Sequence, residues 1–387
     1  MNPFEYKPLE SATTIRVLVL GPSSDKDRST LPSCRIVHID RGSLWKIPGD
    51  DPETSTGFYE AVSYAWGDPD FSEELPIEDS SYLRITPTVK AMLCQFRHKS
   101  KTRRLWIDAV CLNQADDGEK AAQIPLMGDI YRQAAKVRIW LGSADPSTPH
   151  AIAALHSVAG RGTPPSTEMT ASLDNFVKRP WFSRRWIVQE AAVSHARTVH
   201  CGPYKLSWEW MVDAFEELLA SRGVVESPSP LAVVESNLWS TVTIRKRRSD
   251  IMALLWDFDK STCSDPHDAI FTLMGLARNI SDARATGWGD RGLTVPVAYD
   301  LSWVATYAHL ARSLIRHGHA SLLFNRLVAF GSLYKQNPSL PSWVPAWNRA
   351  REFTVPPVVF EFKYSRFASE YPFWNYRKMA KKMAVSF

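Results

Sequence analysis

The strongest constraint on the fold of this chain is a change of pattern at Phe58, after which apolar runs alternate with amphipathic segments. The runs at 59–66, 104–113 and 136–142 have the length and apolar character of buried strands. Strands separated by helical segments typically form a parallel sheet that is covered by helices. The pattern therefore predicts an α/β fold with a flavodoxin-like parallel sheet flanked by helices.

One predicted helix lies between the second and third of these strands. Ile124, Met127, Tyr131 and Ala134 recur at helical spacing, so we expect one helix face to pack on the sheet. Pro125 is tolerated only in the first turn of a helix. Either the regular helix begins near Ile124, or the segment is kinked there.

The rest of the chain divides around this α/β segment. The β-rich runs at 15–20 and 34–40 predict an N-terminal β lead-in, and the turn-rich stretch 48–57 separates it from the α/β segment. Beyond Trp208 the apolar periodicity is mainly helical. The predicted units are a lead-in, an α/β domain, a mainly helical region and a C-terminal segment, at 1–57, 58–205, 206–330 and 331–387.

Composition excludes several classes of protein. Of the 387 residues, 44% are hydrophobic and 22% charged, which is typical of folded soluble proteins rather than disordered chains. The net charge of +5 is spread along the chain, without the basic stripe of a dedicated nucleic-acid-binding protein. The sequence contains no secretory signal and no apolar run of transmembrane length, so we expect a cytoplasmic protein.

Several kinds of catalytic or metal site are also disfavoured. The five cysteines are odd in number and widely spaced, which fits neither a disulfide framework nor a C-x-x-C site. The ten histidines show no zinc-ligand spacing, so we expect no metal site. The sequence has no G-x-S-x-G elbow, P-loop or Rossmann glycine motif, which argues against serine hydrolases, P-loop nucleotide hydrolases and Rossmann dehydrogenases.

Three segments, in order from residue 59 onward, resemble a known family. They are YEAVSYAWGDPD, LWIDAVCLNQADDGEKAAQIPLMGDIYRQAAKVRIWLG and RPWFSRRWIVQEAA. They resemble the three signature blocks of the fungal heterokaryon-incompatibility (HET) domain, and 263–277 and 340–348 resemble segments that commonly follow it. The family usually continues into a longer C-terminal region than this chain has, so a truncated C-terminus is one interpretation.

The resemblance implies a death-inducing module that is activated when incompatible fungal cells fuse. It also implies a fold similar to that of TIR domains, some of which cleave NAD with a glutamate in the context W-C-x-x-E. Trp186 and Glu190 in WIVQE have the same spacing, although Ile187 stands where TIR domains often carry cysteine. The resemblance therefore makes Glu190 the candidate catalytic residue and Trp186 a candidate substrate-binding residue.

The chemistry of NAD cleavage suits a single carboxylate, because the departing nicotinamide is neutral and needs no general acid. The carboxylate can position the ribose hydroxyls and stabilise an oxocarbenium-like transition state, as in glycosidases. Residues four apart on a helix share a face, so Trp186 can form an aromatic wall beside Glu190. The alternative is a structural role, in which Glu190 is an exposed helical residue paired with Arg184 or Arg185.

Further candidate substrate-binding residues follow the first strand. In open α/β sheets ligands bind beyond the carboxyl ends of the strands, which places Tyr64, Trp66, Gly67 and Asp68 around a cleft. Gly67 allows a positive φ or a close backbone approach. The alternative for Asp68 is a turn formed with Pro69.

Asp108 is an acid inside the apolar run 104–113, and a buried carboxylate needs a hydrogen-bonding or charged partner. One alternative is that it anchors the sheet through Arg104 or a helix N-terminus. The other is that it faces the cleft with Asn113 and Gln114, which makes Asp108 and Asn113 candidate substrate-binding residues.

Two molecular hypotheses follow from this sequence. In the first, self-association completes a cleft in which Glu190 supports hydrolysis of NAD, which is then a substrate and not a cofactor. In the second, the domain is a non-catalytic adaptor or regulatory relative that binds other incompatibility and death proteins. A second copy of this chain and such proteins are the expected partners, and no nucleic acid and no bound cofactor are expected.

Overall fold

A computed structural model describes most of the chain. The described residues are 2–22, 31, 34–42, 58–78, 80–161, 166–222, 249–283, 292–330 and 341–350. The predicted boundary loop at 48–57 lies outside them, as does most of the predicted C-terminal segment 331–387.

A ten-stranded mixed sheet forms the centre of the described structure. Its strands are β1 (Asn2–Pro3), β2 (Thr14–Leu20), β3 (Cys34–Asp40), β4 (Glu60–Tyr64), β5 (Glu73–Ile77), β6 (Ser81–Ile85), β7 (Arg103–Trp106), β8 (Lys136–Trp140), β9 (Arg197–Cys201) and β10 (Tyr204–Ser207). They are arranged in the order β1-β6-β5-β3-β2-β7-β4-β8-β9-β10. A separate parallel pair comprises β11 (Ile280–Asp282) and β12 (Leu293–Val295).

Helices flank the sheet and make up most of the described chain after β10. They are α1 (Pro87–Phe96), α2 (Asp108–Cys111), α3 (Asp117–Gln123), α4 (Met127–Gln133), α5 (Thr148–Arg161), α6 (Thr167–Val177), α7 (Pro180–Ser183), α8 (Trp186–Ala192), α9 (Trp208–Arg222), α10 (Ile251–Asp257), α11 (Asp268–Met274), α12 (Trp303–Arg316) and α13 (Ala320–Phe330). None of the helices in the described residues is long and apolar enough to cross a bilayer.

The neighbouring strands β7, β4, β8 and β9 form a continuous parallel block within the sheet. Of these, β4, β7 and β8 confirm the predicted alternation of strands and helices. The sheet as a whole is mixed, which corrects the prediction of a purely parallel one. In the N-terminal lead-in, β2 pairs antiparallel with both β3 and β7. Within the α/β segment, β5 pairs antiparallel with β6, and β9 pairs antiparallel with β10. The lead-in strands are thus hydrogen-bonded into the same sheet as the α/β segment.

The second predicted strand, 104–113, is only partly a strand. β7 ends at Trp106, and the backbone then turns into α2, where the Ile107 carbonyl accepts hydrogen bonds from the amides of Val110 and Cys111. A buried short helix is as apolar as a buried strand, so periodicity does not separate the two over a few residues. Asp108 therefore opens a helix and does not lie within a strand.

The segment that contains Pro125 is kinked, as one of the two alternatives predicted. α3 ends at Gln123, a short 3₁₀ turn spans Ile124–Leu126, and α4 begins at Met127. The proline occupies the second position of the 3₁₀ turn, where its missing N–H does not interrupt a regular α-helix.

One continuous apolar core joins the sheet to the downstream helices. Leu18 of β2, Val62 of β4, Ile139 of β8 and Leu254 of α10 are all fully buried within it. Because β4 and β7 are parallel neighbours, their carboxyl ends meet at the same edge of the sheet. The residues just after Tyr64 and just after Trp106 are therefore brought together.

Candidate functional site

A cleft with a volume of about 1230 Å³ opens at this edge of the sheet. One wall comes from the residues after β4, from α2 and from α3, and the other comes from α7, α8 and the downstream segments around Thr262 and Tyr299. The charged residues that line it are Asp108, Asp117, Lys120, Arg184, Asp265, Asp268 and Asp300. Carboxylates therefore outnumber cations along the walls.

Asp108 and Trp66 form the first polar contact of the cleft. The indole N–H of Trp66 donates to Asp108 Oδ2 over 2.7 Å, and the amide of Ala109 donates to Oδ1 over 2.8 Å. Asp108 is 4% exposed, and this burial raises the pKa of its carboxyl group. Asp108 has features of both alternatives, since it lines the cleft, where Gln114 also lies, and it accepts an amide at the N-terminus of α2.

Arg184 lies in the short connection between α7 and α8 and contacts three parts of the site. Its Nη1 donates to the Tyr64 carbonyl over 2.6 Å and to Glu190 Oε1 over 3.2 Å, and its Nη2 lies 3.8 Å from Asp108 Oδ2. The side chain is only 19% exposed. One guanidinium thus serves two buried carboxylates, so full ionisation of both leaves a net negative charge.

Glu190 lies behind Arg184, on the sheet side of α8. Its side chain is 1% exposed, and its Oε2 accepts a short hydrogen bond from the Ser63 hydroxyl on β4. The Trp181 indole N–H donates to the same hydroxyl over 2.9 Å. Burial raises the pKa of Glu190 from 4.5 to about 7, although Arg184 and Ser63 favour the ionised form.

Trp186 is the first residue of α8, and its side chain contacts different residues from those that Glu190 contacts. Its indole N–H donates to Asp268 Oδ2 over 2.8 Å, and the hydroxyl of Tyr299 donates to Asp268 Oδ1 over 2.6 Å. All three residues line the cleft. Burial raises the pKa of the Asp268 carboxyl group, which has two hydrogen-bond donors and no cation within ion-pair distance in the described residues.

The predicted site residues separate into three groups. Trp66, Gly67, Asp108 and Trp186 line the cleft. Tyr64 and Asp68 instead line a neighbouring cavity of about 30 Å³, which Trp66 and Gly67 also border. Glu190 and Asn113 are not among the lining residues of either cavity in the described part of the chain.

The local roles of two of these residues are clear from the backbone. Gly67 adopts a φ of +73°, the left-handed conformation that glycine permits at this position. Asn113 forms a turn, in which its side-chain oxygen accepts the amide of Ala115 over 3.2 Å, and its own amide donates to Glu119. Asn113 thus helps to shape the connection to α3.

Sequence reasoning misses several residues that the structure brings together. The sequence presents Arg184 only as a surface partner of Glu190, and it does not single out Ser63, Trp181, Asp268 or Tyr299. Asp268 follows the turn residues SDPH in a segment more than 70 residues beyond the third motif block. Within the described residues, no group of three or more histidine, cysteine or carboxylate side chains is arranged to hold a metal ion.

The fold and the cleft define an α/β protein with a ligand-sized cavity at the carboxyl edge of its sheet. Residues 59–190 match the family model described as heterokaryon incompatibility protein (HET), in agreement with the three sequence blocks. The chain therefore contains a region, residues 59–190, that is similar to the HET domain.

A curated protein that the chain resembles is heterokaryon incompatibility protein 6, OR allele, from Neurospora crassa. The two are 24% identical over 430 residues, which cover 90% of this chain and 60% of the relative. The chain therefore spans less than two thirds of that relative's length. No solved structure gives a significant match to the chain.

Proposed function

We propose that this protein promotes regulated cell death in a heterokaryon-incompatibility or immune-like response in the cytoplasm. The support is the HET match over residues 59–190 and the similarity to a protein named for heterokaryon incompatibility. Self-association and contact with other incompatibility proteins belong to the same proposal, because family members are expected to act when incompatible cells fuse.

The enzymatic form of the proposal is hydrolysis of NAD by a TIR-like mechanism. The observation that carries it is the buried cluster of Glu190, Arg184 and Asp108 beside a cleft large enough for a dinucleotide. Ligand sites of this kind are generally concave, with a few polar groups held in place by the fold. The indoles of Trp66 and Trp186 supply flat apolar surface for the ligand's rings.

In the proposed reaction the nicotinamide–ribose bond breaks, neutral nicotinamide leaves, and a carboxylate stabilises the positive charge that develops on the ribose. Water then forms a new C–O bond at that ribose carbon and releases a proton to solvent. Asp108 lines the cleft directly, whereas Glu190 is reached only when Arg184 leaves its carboxylate. Guanidinium groups bind phosphates strongly, so the pyrophosphate of NAD competes with Glu190 for Arg184. Binding of the dinucleotide thereby frees Glu190 to act on the ribose.

The second candidate function is that of a non-catalytic adaptor. The observation that favours it is the state of Glu190, which is 1% exposed and hydrogen-bonded through both oxygens. A carboxylate held in this way joins α8 to β4. In this alternative the site is a structural core, and the surface of the domain recruits other death proteins.

Release of nicotinamide by the purified full chain tests the enzymatic form. The chain is assayed at high concentration and on a clustering scaffold, because activity is expected to require self-association. Glu190→Gln keeps the side-chain size but removes the negative charge, and Asp108→Asn does the same at the second carboxylate. Glu168→Gln on α6 is the matched control, because Glu168 is an exposed glutamate in the first turn of a helix.

We expect the wild type and Glu168→Gln to release nicotinamide and Glu190→Gln to be about 10²- to 10³-fold slower, as for loss of one electrostatic contact to a transition state. Slow turnover in Asp108→Asn alone assigns the reaction to Asp108 and removes Glu190 from catalysis. Without nicotinamide release from the wild type in either format, the adaptor function is favoured.

Viability of a fungal host that expresses these variants tests the cellular part of the proposal. Killing by the wild type and by Glu168→Gln supports a death-promoting role. If folded Glu190→Gln kills as well as the wild type, death does not depend on catalysis through this residue. If clustered wild type leaves viability unchanged, the proposed role in cell death is wrong.

A further inference from the structure

The start of α8 is held by a segment that lies outside the matched HET region. The guanidinium of Arg185 is fully buried and donates to the carbonyls of Ala269, Phe258 and Ser261, over 2.8, 3.0 and 3.3 Å. The Arg185 amide also donates to the Thr262 carbonyl over 2.8 Å. These bonds fix the backbone from which Arg184 and the remainder of α8 project.

Gln189, further along α8, packs between two glycines of other elements. A Cβ atom added at Gly128 of α4 would lie 2.5 Å from Gln189 Nε2, and one added at Gly275 after α11 would lie 2.4 Å from it. Both distances are shorter than real Cβ contacts, so an alanine at either glycine would force the end of the buried Gln189 side chain to move. α8 thus packs through Gln189 against α4 on one side and against the downstream segment at Gly275 on the other.

Asp268 completes this arrangement inside the cleft. It is 9% exposed and accepts hydrogen bonds from Trp186 and Tyr299, one on each oxygen. The indole of Trp186 is therefore held from outside the HET region. The same downstream segment contributes Thr262, Cys263, Ser264 and Asp265 to the lining.

We propose that the binding site of this protein is composite, with part of its second wall formed by residues 262–268 and 299–300, and that Asp268 is a positioning residue that fixes Trp186 in the cleft. The functional unit then extends beyond residues 59–190 and includes the helices that come after them. Asp268 acts through the hydrogen bonds that it accepts and not through its charge. The effect of the site on cell viability rests on the proposed function, whereas its construction from two segments does not.

The chemistry of Asp268 separates these two roles. In Asp268→Asn the side-chain oxygen still accepts the Trp186 N–H, and the new amide donates to the Tyr299 hydroxyl, which can accept. The geometry is kept and the charge is lost. In Asp268→Leu a side chain with the same branching of heavy atoms removes both hydrogen bonds and leaves two partly buried donors without this acceptor.

Cys263 supplies a readout that does not depend on any activity. All five cysteines lie in the described residues, and Cys263 is partly exposed and lines the cleft, whereas the other four are buried. Labelling of the folded full chain with a small neutral maleimide therefore reports on this wall. Cys263→Ser in each background gives the rate from the remaining thiols.

We expect Asp268→Asn to label at the wild-type rate and Asp268→Leu to label about 5- to 30-fold faster, as for local opening made easier by one or two kcal/mol. Trp186→Phe removes one of the donors. If Asp268 acts through Trp186, adding Trp186→Phe to Asp268→Leu changes the rate by less than the two separate effects combined. Circular dichroism of each variant shows that the fold is retained.

Unchanged labelling in folded Asp268→Leu would overturn the inference, and so would additive effects in the double variant. Equal acceleration in Asp268→Asn and Asp268→Leu would assign the role to the charge and not to positioning. If Asp268→Leu does not fold, Tyr299→Phe replaces it in the comparison, because this change removes only one of the two donors. Tyr299→Phe is then measured alone and together with Trp186→Phe. A wild type that fails to kill while these rates behave as expected contradicts the proposed function and leaves the composite site intact.

Discussion

The buried carboxyl group of Glu190 predicts an unusual pH dependence of stability. Its pKa is raised from 4.5 to about 7 in the folded protein, because burial outweighs the attraction of Arg184. A carboxyl group whose pKa is higher in the folded state binds its proton more tightly there than in the unfolded chain. The stabilising contribution of Glu190 to the free energy of unfolding is therefore fully present below pH 4.5 and is lost as the pH rises through about 7.

The size of this effect follows from the shift in pKa. One pKa unit corresponds to about 1.4 kcal/mol, so Glu190 lowers the free energy of unfolding by about 2–3 kcal/mol between pH 5 and pH 8. The side chain is 1% exposed, so solvent screening does not reduce this value. In Glu190→Gln the group no longer titrates, and this part of the pH dependence disappears.

Urea unfolding of the full chain at pH 5, 6, 7 and 8 measures the effect. Wild type, Glu190→Gln and the exposed control Glu168→Gln are compared, and the free energy of unfolding is extrapolated to zero urea. The wild type and the control are expected to lose about 2–3 kcal/mol more than Glu190→Gln as the pH rises. If the difference has the opposite sign, the ion pair with Arg184 outweighs burial, Glu190 is ionised throughout, and the reasoning is refuted.

Three further substitutions test the packing around the site. Gly275→Ala brings a Cβ to 2.4 Å from Gln189 Nε2, so we expect a loss of about 1–3 kcal/mol in urea unfolding, and Gln189→Ala in the same chain should restore part of it. Arg185→Met removes hydrogen bonds from a charged donor to the carbonyls of Ala269 and Phe258, each worth about 1.5–3 kcal/mol, and should lower the thermal midpoint more than Gly275→Ala does. Gly67→Ala, at a φ of +73°, should cost about 1–2 kcal/mol in urea unfolding, and no loss would show that the loop relaxes freely.

Sequence reasoning finds the elements that are long and strongly patterned. The segments that form β2, β3, β4 and β8 carry runs of branched and aromatic residues, and Pro125 marks the kink before α4. Sequence reasoning misses the antiparallel pair β5 and β6, because their segments, EELPI and SYLRI, are short and contain charged residues. Strand direction is also out of reach, since antiparallel pairing of β2 with β7 depends on partners that lie far apart in sequence.

The candidate site shows the same limit more sharply. The residues after β4 can be placed at the cleft because every open α/β sheet has a functional edge. The side of α8 on which Glu190 lies cannot be predicted from the sequence, since residues four apart on a helix share a face only roughly. Trp186 and Glu190 in fact contact different partners. Asp268 leaves no signal, because its two donors lie 82 and 31 residues away.

Arg184 explains why the three motif blocks form one site. Its guanidinium contacts the Tyr64 carbonyl of the first block, Asp108 of the second and Glu190 of the third. A lysine has a single nitrogen on a flexible stem and cannot serve all three acceptors from one position, so Arg184→Lys is not a conservative change. The two hypotheses differ in what they require of this side chain, because catalysis by Glu190 needs Arg184 to exchange one carboxylate for a ligand. An adaptor requires only that Arg184 stay where it is, and so a ligand-dependent change at Arg184 separates an enzyme from a scaffold even before a product is identified.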